Sequence, residues 1–487
     1  MRLHDLLDAT EVLEFVHDAS VDVNDVTHDS RSTHPGALFC CISGEVADGH
    51  EFAAGAVAAG AVAVMVERPV AVTVPQARVA SVRRSLGPVA ARVHGDPSRH
   101  VDVIGITGTN GKTTTAFLLG GILRAAARRP AVLGTLGVHF DGETHPAMFT
   151  TPEAPDLQRL LASLRAQGAA SIVMEVSSHA LSEHRVDATM FAAVCFTNVS
   201  HDHLDYHGTM DDYVAAKAAL FRSEFSRRAA INIDDGVGPE LVTRARGDQL
   251  DVVTFGIDAP AADVRAADLV GDVTSTMFRL YVDGDGVDLR LELPGRFNVE
   301  NALAAAATAH ALGIDPATIA SGLVGLRAVP GRFEPIDSSA PVTVIVDYAH
   351  TPAGIATVLA TARAVTAGRV IAVFGCGGDR DAAKRAAMGA AAGNGADLVV
   401  LTSDNPRSED PAVIAEAAAV GLRNVGAEFA VELDRRRAIR DAVRAAVPGD
   451  VVLVLGKGAE TGQRVGDRVV PFDDRIVAAE ELESAWS

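Results

Sequence analysis

The stretch between Val101 and Ala127 narrows the possible folds more than any other part of the chain. An apolar run, Val101–Thr107, enters ITGTNGKTTT (106–115), and a helical stretch follows, Thr113–Ala127, with Phe117, Leu118 and Ile122 apolar. Strand, glycine turn and helix in that order open a strand–helix–strand unit, and such units build parallel sheets covered by helices. Gly108 and Gly111 let backbone N–H groups approach an anion, and the helix N-terminus behind them favours negative charge. In such a loop Lys112 reaches the β- and γ-phosphates of a nucleotide and Thr113 meets Mg²⁺. The long spacing GxxxxGK[ST] needs glycine at 106, where the chain has Ile106; the shorter GTNGKT stands in its place.

The same alternation recurs. Ser171–Val176 and Ala192–Thr197 read as further buried parallel strands. A boundary falls at LRAVPGR (326–332), after which Val342–Asp347, Val370–Phe374, Asp397–Thr402 and Asp450–Leu455 again alternate with helices. Ahead of the phosphate loop, Ala37–Ile42 and Ala61–Val66 are β-like, Phe52–Ala59 is helical, and HGDPSRH (94–100) is a linker rich in turn residues. At about 150 residues per domain, 487 residues suggest three units. They are placed at 1–98, 99–328 and 329–487, all α/β: an N-terminal domain, a central parallel-sheet domain of the P-loop ATPase kind, and a Rossmann-like C-terminal domain.

Charge removes whole classes of function. With 43 basic and 63 acidic residues the net charge is −20, which argues against nucleic acid and anionic lipid as partners. The longest apolar run of note, Phe52 to Val66, is too short to span a membrane, and the acidic start lacks a signal-peptide core. Four cysteines without CxxC spacing suggest neither disulfides nor a zinc ribbon. A cytoplasmic protein is expected. Lys112, Lys217, Lys384 and Lys457 are the only lysines among the 43 basic residues. A lysine kept in so arginine-rich a chain points to a place where a flexible point charge or a reactive amine is required.

Glu175 ends one strand, and His201, Asp202, His203, Asp205 and His207 crowd the end of the next. The carboxyl ends of parallel strands are where α/β ligands bind. Beside a phosphate loop, Glu175 and His203 suit Mg²⁺ with Thr113 as an oxygen ligand; a zinc site or a plain polar loop are the alternatives. Asn198 reads equally as a polar wall or a turn residue. Lys217 sits in YVAAKAALF among Tyr213, Val214, Leu220 and Phe221, where snorkelling from an apolar face is the commoner fate. Asn298 and Asn301 are spaced i, i+3 on one helical face, suited to an adenine edge or, for Asn298, to a helix cap.

Together with the loop, DSR (29–31), TTPEAPDLQ (150–158), MEVSSHAL (174–181), TNVSHDHLDYHG (197–208), GRFNVENALAA (295–305), PGRFE (330–334), DYAHTP (347–352), GCGGDRD (375–381), DNPR (404–407) and GKGAE (456–460) resemble the Mur ligase family, which also includes folylpolyglutamate synthetases. The order of segments is similar to the members that add the third residue of the peptidoglycan stem peptide. The resemblance implies an ATP-dependent amide-bond ligase joining diaminopimelate to UDP-MurNAc-L-Ala-D-Glu through an acyl phosphate, acting as a monomer. A lysine-adding or folate-type ligase, or a nucleotide-binding member without catalysis, is the alternative.

It also implies roles. Lys112, Lys217 as a carbamate, and His203 would be catalytic, with Thr113, Glu175, His203 and the carbamate on the metal. Gly108, Thr109, Asn110, Gly111, Lys112, Thr113, Thr114, Asn298, Asn301, Arg332, Asp347 and His350 would bind ATP. Ser30, Arg31, Thr150, Thr151, Ser177 and Arg185 would hold the UDP-substrate, with Asp48 and Gly49 in a similar loop, EVADGHEF (45–52). Arg380, Asp404, Asn405, Arg407, Gly456 and Glu460 would receive the incoming amino acid; two arginines suit carboxylates, and the two acids suit an ammonium. Glu183 stands where the family usually has Gln, and Ala459 where it usually has His.

Overall fold

The computed structural model describes residues 1–44 and 47–486. Glu45 and Val46, which open the EVADGHEF loop, lie outside the described residues. Among the described residues the chain forms three large sheets, each with a parallel centre, and a two-stranded hairpin, Gly462–Val465 with Arg468–Pro471.

The first sheet runs Val12–Val16, Gln76–Val79, Ala63–Val66, Ala37–Cys40, Asp25–Thr27, antiparallel only at the Val12–Val16 edge. The second places Asp102–Thr107 between Phe191–Phe196 and Ser171–Glu175, with Pro130–Gly134 next, all parallel. Alternate side chains supply two cores: Ile104 and Ile106 meet Leu118, Ile122 and Leu303 on one face, while Val103 meets Leu157, Leu161 and Met174 on the other. Helices Lys112–Ala125 and Arg296–Ala311 cover the first face and Ala154–Ala166 the second. In the third sheet Thr343–Asp347, Val451–Leu455, Val370–Phe374, Leu398–Leu401 and Phe429–Val431 are parallel, with Glu334–Pro335 antiparallel at the edge.

The expected central strands form with ends that differ by one residue: Asp102–Thr107 and Ser171–Glu175 are each one shorter, and Phe191–Phe196 is shifted one residue toward the N-terminus. The central sheet is larger than expected, however, with antiparallel hairpins at both ends. Gly137–Phe140 pairs with Glu143–His145, and Thr276–Val282 with Asp285–Leu291. Both turns are Asp-Gly pairs, Asp141–Gly142 and Asp283–Gly284, with φ of 50° and 86°, and 50° and 90°. Left-handed pairs of this kind make the tight turn that matches strand twist. That signal was present in the sequence, and the alternating burial of Thr276–Val282 agrees with it.

The phosphate-loop helix is anchored by close packing against Pro316–Val324. A Cβ added at Gly322 would lie 2.3 Å from the Ile122 Cα. Gly322→Ala is expected to destabilise by about 1–3 kcal/mol through overpacking, read as a lower midpoint in urea.

Candidate functional site

The central strand Asp102–Thr107 ends where its two neighbours end, so the phosphate loop, Glu175 and Thr197 open at one sheet edge. The loop is clasped by the segment after Phe196. Thr109 N donates to Asn198 O (2.8 Å), Asn110 N to Asn198 Oδ1 (2.9 Å), and Thr197 Oγ1 to Asn110 O (2.7 Å). Asn198 thus shapes the loop rather than lining a ligand wall. Beneath it lies Asn301, whose Oδ1 would stand 2.1 Å from a Cβ at Gly111, so only glycine fits there. Asn298 donates to Pro294 O (2.8 Å) and Asn301 to Asn298 (3.3 Å); both are buried, supporting the loop from below.

Two ammonium groups meet on one carbonyl. Lys112 Nζ donates to Gly108 O (2.8 Å) and Thr109 O (2.9 Å), and Lys217 Nζ donates to Gly108 O (3.0 Å). Helix Met210–Ala218 turns Lys217 inward; its residue is 2% exposed, so it does not snorkel. Its ammonium lies 4.3 Å from the Tyr213 ring centre, and Tyr213 Oη meets Thr109 Oγ1 at 3.1 Å. Burial, then the charge of Lys112, holds the Lys217 amine well below the ordinary lysine range. Burial lowers Lys112 as well.

Thr113 Oγ1 donates to Glu175 Oε1 (2.9 Å), which also receives Thr135 N (2.9 Å). Arg332 Nη2 donates to Thr113 Oγ1 (3.1 Å), so the third sheet's domain touches the phosphate loop directly. Of the residues expected around a metal, Thr113 and Glu175 are together as two oxygen donors. His203 packs edge-on against His179, with ring centres 4.8 Å apart, and Lys217 keeps to Gly108. Among the described residues no group of three or more His, Cys, Asp or Glu is placed to hold a metal by itself. A buried carboxylate and one hydroxyl fit Mg²⁺ bound with substrate phosphates and water rather than a closed protein cage. Burial pushes the His203 imidazole down, which keeps it neutral near pH 7.

A cavity of about 480 Å³ runs from this point to the third sheet. Thr150, Thr151, Ser177, Arg185 and His203 line it from the centre; His350, Arg380, Asp404, Asn405, Arg407, Gly456 and Glu460 line it from the C-terminal side. Lys384 lines it too and stands 3.7 Å from Asp202 across the gap. Sequence motifs missed that residue; its only signal was that lysines are so few. Arg407 adopts φ of 52°, fixed by Arg407 N to Arg464 O (3.1 Å) and Gly466 N to Arg407 O (2.7 Å). Its guanidinium donates to Gly378 O. It is therefore a half-buried cavity residue, not a solvated one.

Lys457, the lysine of the GKGAE segment, contributes from below: fully buried, it donates to Asn405 Oδ1 (3.2 Å), Glu460 Oε2 (2.8 Å) and Gly462 O (2.8 Å). Asn405 Nδ2 also reaches Glu460 Oε2 (2.9 Å). Burial pushes the Asp404 carboxyl up, opposed by Arg435 and Lys457.

Ser30 and Arg31 are not brought to the cavity. Arg31 turns back onto Asp29 (2.8 Å) with its side chain 84% exposed. Asp48 pairs with His50 and Arg68. Asp347 accepts Phe333 N and Ala349 N (2.7 Å each), bracing the chain beside Arg332.

Glu183 is charge-compensated. It accepts Tyr206 Oη (2.6 Å) and pairs with Arg83 of the first domain (3.0 Å). Arg83 also binds Glu153 (2.8 Å), and Glu153 binds Arg185 (3.0 Å).

Three family models match the chain: "Mur ligase family, catalytic domain" over 22–98, "Mur ligase middle domain" over 106–309, and "Mur ligase, glutamate ligase domain" over 331–458. Relatives named UDP-N-acetylmuramoyl-L-alanyl-D-glutamate–2,6-diaminopimelate ligase occur in Solibacter usitatus (44% identity, covering 95% of this chain and 94% of the relative). One of the same name in Streptomyces coelicolor is 43% identical over 96% and 93%. A solved structure so titled superposes with a TM-score of 0.72 at 32% identity, covering 99% of each chain.

The partly exposed Arg83–Glu183 pair sets a modest expectation: Glu183→Gln changes stability by less than about 1 kcal/mol. Glu153, buried between two arginines, is different, and Glu153→Ala costs on the order of 3 kcal/mol. Urea unfolding of both variants checks the contrast.

Proposed function

The chain belongs to the Mur ligase family of ATP-dependent amide-bond ligases, and on that premise we propose that it joins diaminopimelate to the D-Glu γ-carboxyl of UDP-MurNAc-L-Ala-D-Glu in peptidoglycan precursor synthesis. The observation that carries the reading is the shared cavity. The Arg380, Asp404, Arg407 and Glu460 groups open onto the same space as Thr150, Thr151, Ser177 and Arg185, and the phosphate loop sits at its side. The three units, 1–98, 99–328 and 329–487, would each present one reactant. We place the reaction in the cytoplasm, with a monomer as the working form; among the described residues no helix is long and apolar enough to cross a membrane.

Chemistry of this kind is mainly positioning and charge neutralisation. The γ-carboxylate oxygen attacks the γ-phosphorus of ATP and ADP leaves, giving an acyl phosphate. The diaminopimelate amine then attacks the acyl carbon, phosphate departs, and the amine loses one proton. The phosphate loop's N–H groups, Lys112 and the helix N-terminus stabilise the charge that develops on the phosphoryl oxygens. Mg²⁺, when bound, neutralises phosphate charge; Thr113 and Glu175 would hold it, with His203 at the rim. Lys217 is suited to carbamylation, because a neutral amine adds CO₂ and releases a proton, and burial already favours the neutral form. Arg380 and Arg407 would take the acceptor's carboxylates, and Asp404 and Glu460 its ammonium.

Phosphate release requiring ATP, the UDP-dipeptide and diaminopimelate together is the direct test; turnover without the amino acid, or none with all three, refutes the proposal. Lys112→Ala is expected to abolish release in a folded protein. Lys217→Ala should also be inactive, with partial recovery on adding short carboxylic acids. Arg407→Ala should lose about 1.5–3 kcal/mol of preference for diaminopimelate over lysine, roughly a tenfold to more than hundredfold drop in the ratio of kcat/KM values. Arg407→Lys should recover part of it.

A further inference from the structure

Under the acceptor end of the cavity lies an ion pair with no exposure at all. Arg435 Nε meets Asp474 Oδ1 at 2.7 Å and Nη2 meets Oδ2 at 2.6 Å, both side chains being 0% exposed. A core does not need such a pair, since apolar side chains of similar volume often hold it equally well without the desolvation cost. The remaining donors show what it does. Arg435 Nη1 donates to Ser403 O (3.2 Å) and Nη2 to Leu455 O (3.0 Å).

Those carbonyls directly precede Asp404 and Gly456, the first residues of the two acceptor loops. The strands that deliver the loops, Leu398–Leu401 and Val451–Leu455, are not neighbours. Val370–Phe374 lies between them, so no ladder bond joins them directly, and beyond the last ladder pairs nothing in the sheet links the two loop roots to each other. Lys457 and Asn405 tie the loops at the cavity level, and Arg435 ties them at their roots. Four fixed donor contacts from one planar fork suit arginine and not lysine.

We propose that Arg435, locked by Asp474, is a positioning residue that sets the spacing between the two acceptor loops and thereby the length of amino acid accepted. The inference rests on reading this pocket as the diaminopimelate site. Asp474 fixes the plane of the guanidinium, and the guanidinium fixes both loop roots. Asp404 on one loop and Glu460 on the other then face the acceptor at a constant distance.

The test is a double variant, Arg435→Met with Asp474→Leu, which removes both buried charges together and both carbonyl ties. It is expected to unfold within a few degrees of wild type, while KM for diaminopimelate rises at least tenfold. KM for ATP and for the UDP-dipeptide should stay within twofold. Preference for diaminopimelate over a homologue one methylene longer should fall at least fivefold. Asp474→Asn, which keeps the volume, serves if the double variant does not fold, with a rise in acceptor KM of at least threefold. Arg435→Lys in the same assay should stay closer to the double variant than to wild type. An unchanged acceptor KM in a folded variant, or equal rises in all three KM values, overturns the proposal. Wild-type protein that ligates another amino acid but never diaminopimelate refutes the acceptor reading instead.

Discussion

The carbonyl oxygen of Gly108 is the point on which the site turns. It receives ammonium groups from its own helix and from Met210–Ala218, and so joins the phosphate loop to an element about a hundred residues later. Two like charges on one acceptor repel, and burial together with that repulsion makes giving up a proton easier for Lys217. The strained electrostatics are thus the same feature that makes Lys217 a nucleophile toward CO₂ in the proposed chemistry. Asn198 and Asn301 hold the loop from above and below, so the arrangement does not relax by moving the carbonyl.

Much of this was legible in the residues. A strand, a glycine loop with Lys-Thr, and a helix specify local geometry through short-range sterics, and the loop forms where it was expected. Lys217 needed more: its apolar neighbours are compatible with snorkelling, and only tertiary packing buries it. Ser30 and Arg31, expected to hold the UDP-substrate, stand in the first domain away from the cavity, a distance that local likeness does not convey. Asn298 and Asn301 share a helix face as their spacing required, yet spacing does not say whether that face meets a ligand or the underside of a loop. Lys384 and Arg435 belong to no short pattern, because each acts across sequence distances that a local reading does not span.

The acidic balance of the chain does not carry into the site. Arg83, Glu153, Glu183 and Arg185 alternate in sign from the first domain to the cavity wall, so the carboxylate at 183 adds no uncompensated charge beside an anionic substrate. Arginine supplies the fixed forks of such networks. Each of the four lysines, by contrast, lies at the phosphate loop, on the cavity wall, or bonded to a residue of that wall.

A count of valences on the Thr113 hydroxyl shows how two distant events share one atom. The oxygen has one hydrogen and two lone pairs. Its hydrogen goes to Glu175, and one lone pair takes the Arg332 hydrogen bond from a residue 219 positions away. One lone pair is left over, enough for a cation and no more. Domain contact and cation coordination therefore need not compete, and the same oxygen can register both at once. Serine would offer equal valence, but valine, of the same shape, would remove the Arg332 hydrogen bond and the spare lone pair together while leaving the helix intact.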